Sequence, residues 1–240
     1  MPPPPPPPRP DWPVPTLSLR IEDLSHPGVR IFLQSVDPYH ALREAVIFVF
    51  QWLYGTTERA PKHVETIQLI LRPMDGVAYT TGTHTAKQIH FSCNHIVNSA
   101  QRAPAEIRGV LTHEAVHCFQ WNAGGTCPGG LIEGVADWVR LRSGLIPPHW
   151  REGGDRWDAG YQTTAYFLRW IEVRYGEGTV QELNARMKEG QYDAGMFKDL
   201  TGRGVDKLWS KYCDELKTGV GAVGRDRFVV QQQQGYVPGY

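Results

Sequence analysis

The residues best suited to chemistry are His113-Glu114-Ala115-Val116-His117, an HExxH pattern. On a helix, positions i and i+4 share one face, so the two imidazoles converge on a single point one turn apart. Paired neutral imidazole nitrogens are ligands that zinc prefers. Glu114 projects beside them, where a carboxylate can take a proton from an activated water. HExxH also arises by chance, so its surroundings must support it. Pro104 starts a helix that Ile107, Val110 and Leu111 pad with apolar side chains. Beyond it, Asn122 to Gly129 is Gly-rich and can reverse the chain, bringing the helix of Gly130-Leu131-Ile132-Glu133-Gly134-Val135-Ala136-Asp137 back over the first.

On that second helix Glu133 and Asp137 are again i and i+4, with both carboxylates on one side. A catalytic zinc site takes three protein ligands and keeps one position open. Glu133 completes a His₂Glu set, and Asp137 then accepts the other ring N–H of a ligand histidine and sets its tautomer. Asp137 as third ligand in place of Glu133 stays open at this level. An HExxHxxGxxH site fails, because Gln120 and Ala123 stand where Gly and His are needed. A purely solvated face for Glu133 and Asp137 fits poorly with Leu131, Ile132, Val135, Ala136 and Trp138 around them.

These two segments, with Trp157-Asp158-Ala159-Gly160-Tyr161-Gln162-Thr163-Thr164-Ala165-Tyr166-Phe167-Leu168, resemble the plant basic secretory protein family of zinc metallopeptidases. More widely, HExxH followed by a Glu-Gly-x-Ala helix is similar to the gluzincin group. The resemblance covers residues 17 to 217. It implies a zincin-like fold, Zn²⁺ as cofactor, peptide or protein substrates, and a cleft between a sheet and a helical half. It also implies His113, His117 and Glu133 as ligands and Glu114 as catalytic base. The chain departs from the family in carrying no basic excess and no secretory signal. Its default location is therefore cytoplasmic, although the relatives are secreted.

The expected reaction is hydrolysis, with zinc polarising the scissile carbonyl and Glu114 moving the water's proton to the leaving amine. Tyr161, beside Gly160 at a helix start, is the candidate donor to the oxyanion. Substrate backbone is expected to add to the strand at Gln88 to Phe91. His84, His90 and His95 lie near enough in sequence to approach the cleft but suit structural roles. His26, His40, His63 and His149 are uninformative. Tyr166, Trp138, Trp170 and Trp209 suit a core. The rival readings are an inactive metal-bearing binding module and an adaptor acting through the N-terminal prolines.

The elements that must position these groups are legible from periodicity. Leu17 to Ile21 alternates as a strand, and Asp37-Pro38 starts a helix running to Tyr54. Ile67 to Leu71, Val77 to Thr80 and Gln88 to Phe91 read as strands. Helices follow at about 104–121, 130–143, 158–175, 179–188 and 204–217. A small mixed sheet followed by a mostly helical half is an α+β arrangement. The domain spans 16–218, between a Pro-rich disordered tail at 1–15 and a flexible C-terminal tail at 219–240. Seven consecutive prolines, Pro2 to Pro8, favour polyproline II or disorder; the expected reading is a solvated tail, with a ligand for a Pro-recognising partner as the alternative.

Composition bounds the rest. The chain has 240 residues, 41% of them hydrophobic, and 25 basic against 25 acidic side chains. Charge balance argues against a nucleic-acid or anionic-membrane binder, and no apolar run approaches the roughly 18–20 residues of a membrane span. The four cysteines are too few and scattered for a disulfide framework, although Cys118 and Cys127 bracket the Gly-rich turn; such short-range thiols are expected to be reduced.

Overall fold

A computed structural model describes residues 11–219. Its single sheet has four strands, β1 (Thr16–Ile21), β2 (Thr66–Arg72), β3 (Ala78–Gly82) and β4 (Ala86–Ser92), in the order β1-β2-β4-β3. β1, β2 and β4 run parallel, and β3 turns back antiparallel to β4 with Thr80 opposite Ile89. β2 and β4 are therefore paired on both sides, and β3 is an edge.

Between β1 and β2 the chain forms α1 (Pro27–Ser35) and α2 (Pro38–Val49). Proline stands at the first position of each, where its missing N–H costs nothing. The His26 ring accepts from Gly28 N, and Asp37 accepts from His40 N at 2.8 Å. α2 ends in a wider π turn over Phe50–Tyr54, closed by Gly55 at φ +80°. The Tyr54 hydroxyl donates to Phe119 O at 2.6 Å, so this turn is tied to the end of the HExxH helix.

After β4 come α3 (Cys93–Asn98), α4 (Ala103–Phe119), α5 (Gly129–Arg142), α6 (Tyr161–Tyr175), α7 (Thr179–Arg186), α8 (Gly195–Thr201) and α9 (Val205–Thr218). This is a mixed α+β architecture, a small mixed sheet with a mostly helical remainder. α4 is its central strut: Ile107, Val110, Leu111, Ala115, Val116 and Phe119 are all buried. It packs on α2, on α5 and on the β3–β4 end of the sheet. None of the described helices is long and apolar enough to cross a membrane.

Three short helices of 6 to 9 residues, α1, α3 and α8, stand where periodicity read no element. α6 starts at Tyr161, not at 158. The Thr164 hydroxyl donates to Trp157 O at 2.6 Å and accepts from Gly160 N at 3.0 Å, holding Trp157–Gly160 in a turn. The Pro-rich segment drawn as 1–15 also needs correction at its end. Trp12 is buried, with its ring 6.0 Å from that of Phe50, so the core begins before β1. Residues 1–10 and 220–240, including the proline run and most of the 219–240 tail, lie outside the described residues.

Candidate active site

α4 and α5 lie antiparallel. His113 of α4 faces Glu133 and Asp137 of α5, and Glu106, a few turns earlier on α4, faces Arg140, later on α5. The approach of α5 to α6 and to the turn before it requires small residues. A Cβ on Gly134 would lie 2.2 Å from Thr164 Cγ2 of α6, and one on Gly130 would lie 1.8 Å from Asp158 O.

His113 Nε2, His117 Nε2 and a Glu133 carboxylate oxygen converge within 4.8 Å of one another, a group able to hold a metal ion. Glu133 Oε2 is 3.1 Å from His113 Nε2 and 3.7 Å from His117 Nε2. Asp137 is not part of this group. Its Oδ1 is 2.7 Å from His113 Nδ1, on the far side of the ring, where it accepts the Nδ1–H. The choice between Glu133 and Asp137 as third ligand is thus made by position.

His117 has a corresponding neighbour that sequence reasoning missed. The Gln120 amide lies 3.0 Å from His117 Nδ1, and Gln120 Oε1 is buried with no partner. Gln120 Nε2 also donates to Ile132 O at 3.4 Å, tying the end of α4 to α5. Asp137 thus directs the His113 Nε2 lone pair toward Glu133, and Gln120 holds the His117 ring in place. The donor set therefore fits a divalent cation that accepts nitrogen and oxygen.

Burial pushes the His113 pKa down, but hydrogen bonds to Asp137 and Glu133 and the Glu114 charge reverse this and take it up to about 10. Burial pushes the Glu133 carboxyl up, and the two histidines more than reverse it, holding it well below the usual carboxylate range.

Glu114 is 5% exposed and borders the same cleft. The Thr80 hydroxyl donates to Glu114 Oε2 at 2.7 Å and lies 3.0 Å from Glu114 O. Thr80 sits on β3, a strand position with no motif to reveal it. Tyr161 stands at the mouth, more than half exposed, its ring stacked 6.1 Å from that of His113 at 12°. It has φ +46° after Gly160 at φ +90°, a strained start to α6 of the kind found at functional sites. The Glu133 charge, and burial after it, raise its phenol pKa, which keeps the proton on at neutral pH.

The cleft encloses about 960 Å³ and is bordered by Tyr79 and Thr80 of β3. Strand addition at Gln88 to Phe91 is ruled out, because β4 is already paired with β2 and β3; the edge facing the cleft is β3.

A family model described as a peptidase of plants and bacteria matches residues 14–212. The chain belongs to the basic secretory protein family. Comparison with curated proteins and with solved structures gives no match. The chain's motif segments and Trp157–Leu168 all lie inside the family match.

The remaining histidines divide. His95 borders the cleft and holds Glu106 Oε1 at 2.8 Å, and His149, uninformative in sequence, also borders it. His90 stacks on Tyr79 at 4.5 Å and His84 on His63 at 4.2 Å, both away from the metal group. All four cysteines are free thiols, and Cys127 Sγ lies against Met187 Sδ at 3.4 Å. Trp138 is fully buried, and Tyr166, Trp170 and Trp209 pack against the core.

Proposed function

We propose that this member of the basic secretory protein family is a zinc-dependent peptidase with a zincin-like fold, comprising one catalytic domain over residues 16–218 extended back to Trp12. The observation that carries the reading is the convergence of His113, His117 and Glu133 beside a buried, oriented Glu114 in one cleft. Zn²⁺ would be held by His113 Nε2, His117 Nε2 and Glu133. Zinc in such a site supplies Lewis acidity, which polarises a carbonyl and makes water acidic near neutral pH.

This chain's own residues do the rest. Glu114, held by Thr80, takes a proton from the attacking water and delivers it to the leaving amine nitrogen. Tyr161 donates its phenolic O–H to the carbonyl oxygen as negative charge develops there. Asp137 holds His113 in the tautomer that presents Nε2. β3, with a free edge over the cleft, pairs with an extended substrate backbone.

The test exposes a defined peptide mixture to the protein and to Glu114→Gln, with cut sites read by mass spectrometry. The reading expects cleavage by the parent alone, abolished by a chelator and restored by zinc. Silence from both proteins with zinc bound would mean a metal-bearing binding module instead. Tyr161→Phe is expected to lower kcat by about tenfold or more with little change in KM, as for loss of a transition-state donor.

A further inference from the structure

Because α4 and α5 are antiparallel, the cleft runs from the metal group toward the start of α4 and the end of α5. Glu106 lies seven residues before His113, and Arg140 seven after Glu133. Seven helical residues span about 10 Å, the reach of about three residues of extended peptide. The chemistry changes over that distance.

Glu106 is buried, accepts from Arg140 Nη2 at 3.0 Å, lies 2.8 Å from His95 Nε2, and is also paired with Arg102. Two guanidiniums face this carboxylate, and the Asp137 charge also reaches Arg140. The other ionisable groups facing this end are His95 and His149, with Asp137 beyond them, committed to His113.

Arg140 is fixed in place. Its Nε donates to Leu145 O at 3.0 Å and its guanidinium lies 5.4 Å from the Trp150 ring. It crosses Gly109 so closely that a Cβ there would sit 2.6 Å from Nε. Its Nη1 has no acceptor among the described residues, and Arg140 borders the cleft. Arg102 gives only Nη1 to Glu106 and is over one-third exposed on the same cleft. Val77, Val110, Pro147 and Trp150 supply apolar walls, which strengthen charge interactions by excluding water.

A guanidinium is a planar fork of donors matched to a carboxylate. Arg140 is already desolvated and held through Nε and Nη2, which leaves Nη1, so little ordering remains to be done there when an anion arrives. We propose that Arg102 and Arg140 form a subsite for a substrate carboxylate, about 10 Å along the cleft from the metal group. The carboxylate comes from an Asp or Glu side chain or from a peptide's free C-terminus. The proposal rests on the peptidase reading.

The test reads binding, not turnover. Zinc-loaded Glu114→Gln is titrated calorimetrically with a short neutral peptide amide, the same peptide with Glu scanned for Gln, and the same peptide as its free acid. One Glu position, or the free acid, is expected to bind about tenfold more tightly than the neutral amide, as for a charge-assisted hydrogen bond, and this identifies the source. Adding Arg102→Gln, which leaves the Arg140–Glu106 pair intact, should bring that ratio below about twofold. Equal binding of all three peptides, or binding of none, overturns the subsite. If the ratio holds but the parent cuts nothing, the peptidase reading falls and the subsite stands. If the parent cuts without any carboxylate preference and the ratio is absent, the reverse is true.

Discussion

Thr80 Oγ1 lies 2.7 Å from Glu114 Oε2, and through this one contact the edge strand sets the direction of the buried carboxylate on the HExxH helix. Thr80→Val keeps the shape and removes the donor. It is expected to lower kcat by about tenfold with zinc content unchanged, since misdirecting a general base costs rate and not metal. Thr80→Ser should restore activity. Equal kcat in parent and Thr80→Val would show that the contact does not orient Glu114.

Asp137→Asn weakens the acceptor for His113 Nδ1–H without emptying the space. Zinc affinity should fall by about tenfold, the scale usual for partners of ligand histidines. Competition with a chromophoric chelator measures this, and an unchanged constant would mean that Asp137 does not tune the ligand.

Zinc uptake should release about one proton at neutral pH, because ligation needs a bare Nε2. In the metal-free protein the His113 pKa is up to about 10, so the imidazole is charged at pH 7. Zinc affinity should therefore rise with pH through the neutral range and level off near that value. Calorimetry in buffers of different ionisation enthalpy counts the protons; a count of zero contradicts the assignment.

Burial alone would raise the Glu106 carboxyl, but hydrogen bonds from His95 and Arg102 and the Arg140 charge hold it at about 2. A depressed folded pKa stabilises above the unfolded value and is lost as pH falls through the folded one. Parent and Glu106→Gln should thus differ by about 3 kcal/mol above pH 5, with the gap closing toward pH 2. Urea melts across that range would show a pH-independent gap if the pairing is not the cause.

Gly130→Ala places a methyl 1.8 Å from Asp158 O, a backbone atom and not the end of a flexible side chain. The segment leading to Tyr161 must move. The expected cost is about 2 kcal/mol in a thermal melt, together with lost activity.

How much was legible in the sequence follows from what each feature depends on. HExxH and the Glu133–Asp137 pair are local patterns, and helical spacing alone puts each pair on one face. The strands and the five longer helices show enough periods to be read. The π turn at Phe50–Tyr54 is tied to Phe119 and the Gly160 turn is held by the Thr164 hydroxyl, bonds that no hydrophobic period records, so periodicity overran both.

The sequence by itself therefore placed the candidate groups, because side-chain types and i, i+4 spacing are properties of one helix at a time. Only the tertiary structure decided that Glu133 and not Asp137 closes the metal group. It also decided that β3 and not β4 offers its edge, and that Thr80 and Gln120 serve Glu114 and His117. Each of these depends on how helix α5, strand β3 or the end of α4 is seated against its neighbour. Seating is fixed by packing between distant segments, such as Gly134 against Thr164, which no local pattern records.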